Sequence, residues 1–231
     1  MNGTTFKMLM LSAGLVLSCS VCAWNEGGGE GDDILRLKGN AKRGKDVFEV
    51  CSACHKPEGW GLRDGTFPQL AGQHPNVIIK ELADIRSRHR ENSVMHPFTV
   101  PSLIGGPQAL ADVTAYISHL PMNPEPGRGP GTDLEHGKQL YQAHCVRCHG
   151  ANGEGSNEQF SPRLHGQHYH YLVREFRNIL SGKRKNANPD MVEQTKAFSE
   201  ADILAVCDFA SRLQPPASMV APTGWKNPDF Q

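Results

Sequence analysis

Two five-residue units constrain this chain more than anything else in it: Cys51-Ser52-Ala53-Cys54-His55 and Cys145-Val146-Arg147-Cys148-His149. Paired thiols followed at once by an imidazole form the pattern in which both sulfurs make thioether bonds to haem vinyl groups while the histidine swings onto the iron. A thioredoxin-like dithiol shares the cysteine spacing, but it belongs to a βαβ setting and has no use for the histidine. A zinc ribbon spaces its two pairs by roughly 15 to 20 residues. Here the offset from Cys51 to Cys145 is 94. The reading is therefore two covalently bound haem c groups, one attached through Cys51 and Cys54 and one through Cys145 and Cys148, with His55 and His149 on the irons.

The same offset extends well past the cysteines. It carries Pro68 to Pro162, Leu70 to Leu164 and Gly72-Gln73-His74 to Gly166-Gln167-His168. It then carries Ile78, Leu82 and Ile85 to Leu172, Phe176 and Ile179, each set spaced to line one helix face. Amphipathic segments over 108–120 and 199–213 close the two copies, with Tyr116 and Phe209 in matching positions, and short helical segments over 44–50 and 137–144 precede the two motifs. No strand alternation competes, so the expected fold is all-α, two tandem domains each wrapped round one haem. Such small domains bury a modest core, and the macrocycle serves as the nucleus on which their helices pack.

The expected organisation is a signal peptide over 1–23, a flexible acidic and glycine-rich tail over 24–38, a first domain over 39–120, a proline- and glycine-rich linker over 121–132, a second domain over 133–214 and a tail over 215–231. Lys7 precedes an uncharged, mostly apolar run that ends in Val21-Cys22-Ala23, which reads as a secretory signal and places the protein in the periplasm. The run is shorter than a membrane-spanning helix needs. Val16-Leu17-Ser18-Cys19 also resembles a lipoprotein signal, so lipidation of Cys19 is an alternative route to the membrane. Cys19 and Cys22 have motif spacing but are followed by Ala23, and no haem is expected there. Cys207, in the last expected helix, reads as a small buried hydrophobe. Twenty-four basic residues balance 24 acidic ones, a charge pattern that argues against nucleic-acid partners. Arg147 and the run Lys183-Arg184-Lys185 read as a solvated charged face or as a contact for an acidic redox partner.

These motifs, the two Pro-x-Leu-x-Gly-Gln-His stretches and a downstream methionine in each copy resemble the dihaem cytochromes of the cytochrome c4 type, two fused class I cytochrome c domains. The resemblance covers about residues 40 to 214. It implies that Met95 and Met191, 40 and 42 residues after His55 and His149, are the distal iron ligands, on the loop between the second and last helices of each copy. A thioether opposite imidazole fills the last position on iron and raises the potential. His96 stands beside Met95, and ligation by it instead would lower the first haem's potential. The remaining histidines, His74, His89, His165, His168 and His170, read as surface or packing residues. The resemblance also implies that the carbonyls of Pro68 and Pro162 accept the N–H of each proximal imidazole.

The function these features imply is electron transport rather than enzymatic catalysis, from a quinol-oxidising complex toward a terminal oxidase or reductase. A catalytic dihaem enzyme, a peroxidase or a thiosulfate dehydrogenase, is the competing reading. A fixed cytochrome subunit of a membrane complex is another.

Overall fold

A computed structural model describes residues 29–231. The expected signal segment 1–23, with Cys19 and Cys22, lies outside the described residues. Those residues form ten α-helices and no β-strand: α1 (Glu30–Leu35), α2 (Ala41–His55), α3 (Pro75–Arg86), α4 (Pro101–Ile104), α5 (Pro107–His119), α6 (Leu134–His144), α7 (Val146–His149), α8 (Tyr169–Leu180), α9 (Pro189–Thr195) and α10 (Glu200–Ala210).

Each copy is built on the crossing of its first and last long helices, α2 on α5 and α6 on α10. A glycine makes each crossing close. A Cβ on Gly44 would sit 2.0 Å from Asp112 O, and one on Gly137 would sit 2.1 Å from Ala205 O. Next to these contacts an aromatic pair locks the crossing, Phe48 with Tyr116 at 5.3 Å between ring centroids and Tyr141 with Phe209 at 5.5 Å. Gly44→Ala is expected to force α2 away from α5 and to cost about 1–3 kcal/mol, read as a lower melting temperature of the haem-loaded protein.

The copies differ by one residue. Tyr141 stands four positions before Cys145, whereas Phe48 stands three before Cys51. The first domain runs α2 unbroken through its motif, and the second absorbs the additional residue by a break at Cys145, which ends α6 and caps α7.

The joint between the domains is a network with approximate two-fold symmetry. Gln73 donates from Nε2 to Arg163 O and accepts from Arg163 N, at 3.1 and 2.9 Å. Gln167 does the same with Gln69, at 2.9 and 3.0 Å. His74 Nε2 donates to Glu154 O at 2.8 Å, and His168 Nε2 to Trp60 O at 2.7 Å. All four pairings repeat at the offset of 94, so the shared Gly-Gln-His stretch belongs to the interface as well as to each haem loop.

A ring of charge completes the joint. Arg90 bonds Glu81 and Glu175, each at 2.8 Å, and Arg184 bonds the same two carboxylates at 2.6 and 3.2 Å. Glu81 and Arg90 repeat as Glu175 and Arg184. The structure thus corrects the surface reading of Arg184, whose side chain is only 16% exposed, because two carboxylates on facing helices need two cations between them. Burial acts to raise the pKa of both glutamates and is outweighed by Arg184, Arg90 and Lys80 around Glu81, and by Arg90, Arg184 and Arg174 around Glu175, so both end below their ordinary value of 4.5. Their contribution to stability is complete above that value and is lost as pH falls through the lowered, folded-state values. Denaturation midpoints taken at a series of pH values are expected to begin falling below about pH 6.5, where the buried histidines of lowered pKa take up protons on unfolding, and to fall further below about pH 4.5 as the two glutamates add their loss.

Both ends expected to be tails are packed where they are described. Ile34 of α1 is fully buried with Ile79, Ala83, Ile104, Leu110 and Ala111, and Arg86 pairs with Glu30 at 2.5 Å. The C-terminal stretch runs back from the second domain onto the first. Met122 N donates to Met219 O at 2.7 Å, Trp225 meets Trp60 at 5.7 Å, Phe230 meets Phe48 at 5.9 Å, and Asn227 donates to Pro57 O at 2.6 Å and Tyr116 Oη at 2.9 Å. Two aromatic anchors and a buried amide outweigh a composition that reads as tail. The segment expected as a linker is pinned too: Asn123 N donates to Gln69 Oε1 at 2.8 Å and Gly127 N to His168 Nδ1 at 2.9 Å.

Candidate haem sites

In each copy the chain delivers two cysteines and a histidine at a helix C-terminus. Cys51, Cys54 and His55 end α2, and Cys145, Cys148 and His149 span the break into α7. His55 and His149 are 5% and 8% exposed. Burial lowers both imidazole pKa values, opposed by the bonds to the proline carbonyls, which favours neutral rings able to bind metal. His55 Nδ1 donates to Pro68 O at 2.9 Å, and His149 Nδ1 donates to Pro162 O at 3.0 Å. Since a carbonyl only accepts, each bond places the proton on Nδ1 and leaves the Nε2 lone pair free to bind a metal.

The thiols fit covalent attachment better than redox exchange or metal-thiolate binding. Burial pushes Cys51 and Cys145 up to about 12, away from the thiolate that an active dithiol requires. Among the described residues no three His, Cys, Asp or Glu side chains converge as a metal site, so the two cysteine pairs do not combine into one zinc centre. Cys207 is 4% exposed among Tyr141, Tyr169, Val206 and Ala210.

The methionines come from separate segments. Met95 is half-buried; its N–H donates to Asn92 Oδ1 at 3.0 Å, and a 3-10 turn over His96–Phe98 follows. Met191, also half-buried, lies within α9 rather than on a loop, because Asn188 caps the helix through Asp190 N at 2.8 Å and Pro189 pre-sets its first turn. Arg147, inside the second motif, pairs at the surface with Asp190, the neighbour of Met191, at 3.7 Å. His74, His165 and His168 are buried, whereas His89 and His170 are exposed. The joint residues Glu81, Arg90, Glu175 and Arg184 were missed as a group, although their shared offset is visible in the sequence.

An all-helical domain repeated in tandem, each copy presenting paired cysteines and a carbonyl-locked buried histidine, defines a two-domain haem protein of the c type. The cytochrome c family model matches residues 41–121 and again 134–213. Cytochrome c4 of Azotobacter vinelandii is 30% identical over 196 residues, covering 78% of this chain and 92% of that one. A protein of Stutzerimonas stutzeri named thiosulfate dehydrogenase electron acceptor is 29% identical, covering 78% and 90%. The crystal structure of reduced recombinant cytochrome c4 from Pseudomonas stutzeri superposes with a TM-score of 0.66 at 26% identity, covering 76% of this chain and all of that one.

The chain belongs to the cytochrome c family, in its dihaem cytochrome c4 branch. It is an electron-transfer cytochrome with two covalently bound haem c groups, and its partners are redox proteins. Haem iron supplies reversible one-electron chemistry. No helix among the described residues is long and apolar enough to cross a membrane.

Proposed function

We propose that this protein carries electrons through the periplasm from a quinol-oxidising complex toward a terminal oxidase or reductase, without catalysing chemistry of its own. In this reading Cys51 and Cys54 hold the first haem between His55 and Met95, and Cys145 and Cys148 hold the second between His149 and Met191. The observation that carries it is the matched pair of buried histidines, each with Nδ1 committed to a proline carbonyl and Nε2 free, and each followed about 40 residues later by a half-buried methionine. Iron closed on both faces passes electrons and offers substrates no open position.

The test uses the purified haem-loaded protein. Rapid reduction by quinol-oxidising membranes and rapid reoxidation by a terminal oxidase are expected, with a low-spin ferric spectrum that cyanide alters slowly. A high-spin ferric spectrum with turnover of peroxide or thiosulfate by the protein alone would replace the carrier reading with the enzymatic one. A second reading concerns the donor. The relative named for accepting electrons from thiosulfate dehydrogenase favours a sulfur-oxidising source, and faster reduction by such an enzyme than by the quinol-oxidising complex would establish it.

A further inference from the structure

Arg163 is a cation that no carboxylate among the described residues balances. It follows Pro162, whose carbonyl holds His149, and its Nη1 crosses the domain boundary to donate to Gly72 O at 2.8 Å. Its Nε is buried and has no hydrogen-bond partner among the described residues. Arg43, Arg86, Arg90, Arg184 and Arg212 each pair with a carboxylate, and Arg163 pairs with none among the described residues. The neighbouring charges do not supply one. His74 and His165 are held neutral chiefly by burial, with Arg163 adding to the effect. The Glu154 carboxylate is turned onto Asn152 N at 2.8 Å.

The first domain shows what this position requires for docking alone. Its counterpart, at the same offset, is Gln69, whose Nε2 donates to Gly166 O at 2.9 Å, the mirror of the bond from Arg163 to Gly72. A glutamine therefore suffices for the interface. What arginine adds is a positive charge and the Nε–H, and no group among the described residues uses either. A buried guanidinium N–H without an anion is costly, so a native structure that retains one points to a partner outside the polypeptide. Haem c brings carboxylates of its own in its two propionates.

Resting on the two-haem reading above, we propose that Arg163 binds a propionate of the second haem through Nε–H while Nη1 stays on Gly72 O, tying the cofactor of one domain to the backbone of the other. A fixed cation beside that haem disfavours the more positive ferric state and raises its potential relative to the first.

The test is Arg163→Gln in the haem-loaded protein, with Arg163→Lys beside it. Potentials are read from a redox titration in which NMR signals assign each haem. With glutamine, the reduction equilibrium of the second haem is expected to weaken by about tenfold, about 59 mV for a one-electron couple, with the first haem moved less. Lysine should move it less than glutamine, and the melting temperature should hold in both variants. Two bound haems with unmoved potentials would refute the assignment while leaving the two-haem reading intact. Equal falls at both haems with a lowered melting temperature would refute it as well, since that pattern marks a damaged interface. A chain carrying no haem would remove the reading beneath it.

Discussion

Met191→Ala is expected to turn one of the two haems, and only one, into an iron that binds cyanide readily and reacts with peroxide. Under the proposed ligation Met191 gives the iron a neutral thioether donor, and alanine carries no donor atom. The helix that carries Met191 is capped by Asn188 and begun by Pro189, neither of which depends on the methionine side chain, so the fold should persist. The expected spectrum keeps half of the sulfur-to-iron charge-transfer absorbance in the near infrared and gains a high-spin component. The potential of the altered haem should fall, because the thioether favours the reduced state. Met95→Ala should do the same at the first haem. An unaltered near-infrared band in that variant would instead point to His96 as the ligand there, with His96→Ala then expected to turn the first haem high-spin while leaving that band untouched. Loss of neither band in either variant would end the thioether assignment.

Arg184→Ala should give the largest loss of stability. The change leaves Arg90 as the one cation bonded to both Glu81 and Glu175, on facing helices of different domains, with Arg174 still beside Glu175. Breaking one partner out of a buried ion network costs about 3–5 kcal/mol, mostly because the remaining charge stays desolvated. Arg184 is tied to the first domain through Glu81, and the adjoining Asn186 donates to Glu81 and Asp84 at 3.2 and 2.8 Å, so the loss should fall on domain docking first. Urea unfolding of the haem-loaded protein is expected to shift to lower midpoint and to split into two transitions as the domains uncouple. Replacing Glu81, Arg90, Glu175 and Arg184 together by apolar residues of similar volume should cost much less than the single change, since no stranded charge then remains. A single cooperative transition at the original midpoint in Arg184→Ala would show that the ring does not hold the domains together.

The cysteine-histidine motifs, the repeat and the helical core stripes were legible because each depends on local spacing. Phe48 and Tyr116 pack as the repeat implies, and so do Tyr141 and Phe209. The charge ring was harder to read. Glu81 and Arg90 recur as Glu175 and Arg184 at the same offset, yet only the way the two copies face each other brings the four together. Flanked by Lys183 and Lys185, Arg184 looks like one more surface cation. Composition misled at the ends: Pro215, Pro216 and Pro222 read as tail, and the anchoring done by Trp225, Asn227 and Phe230 depends on a surface of the first domain that local pattern does not describe. Met191 lies in a helix because a cap and a proline outweighed the loop-like run of asparagines before them.

The segment that returns from the second domain to cover the first imposes an order of assembly. Chains are made from the N-terminus, and domains generally fold as units as they emerge. Here the half that emerges first waits for residues made much later, since Phe230 rests on Phe48 across 182 positions of chain. Contacts of such separation form late. A chain lacking residues 225–230 would therefore leave its earliest-made half unfinished while the later half completes normally.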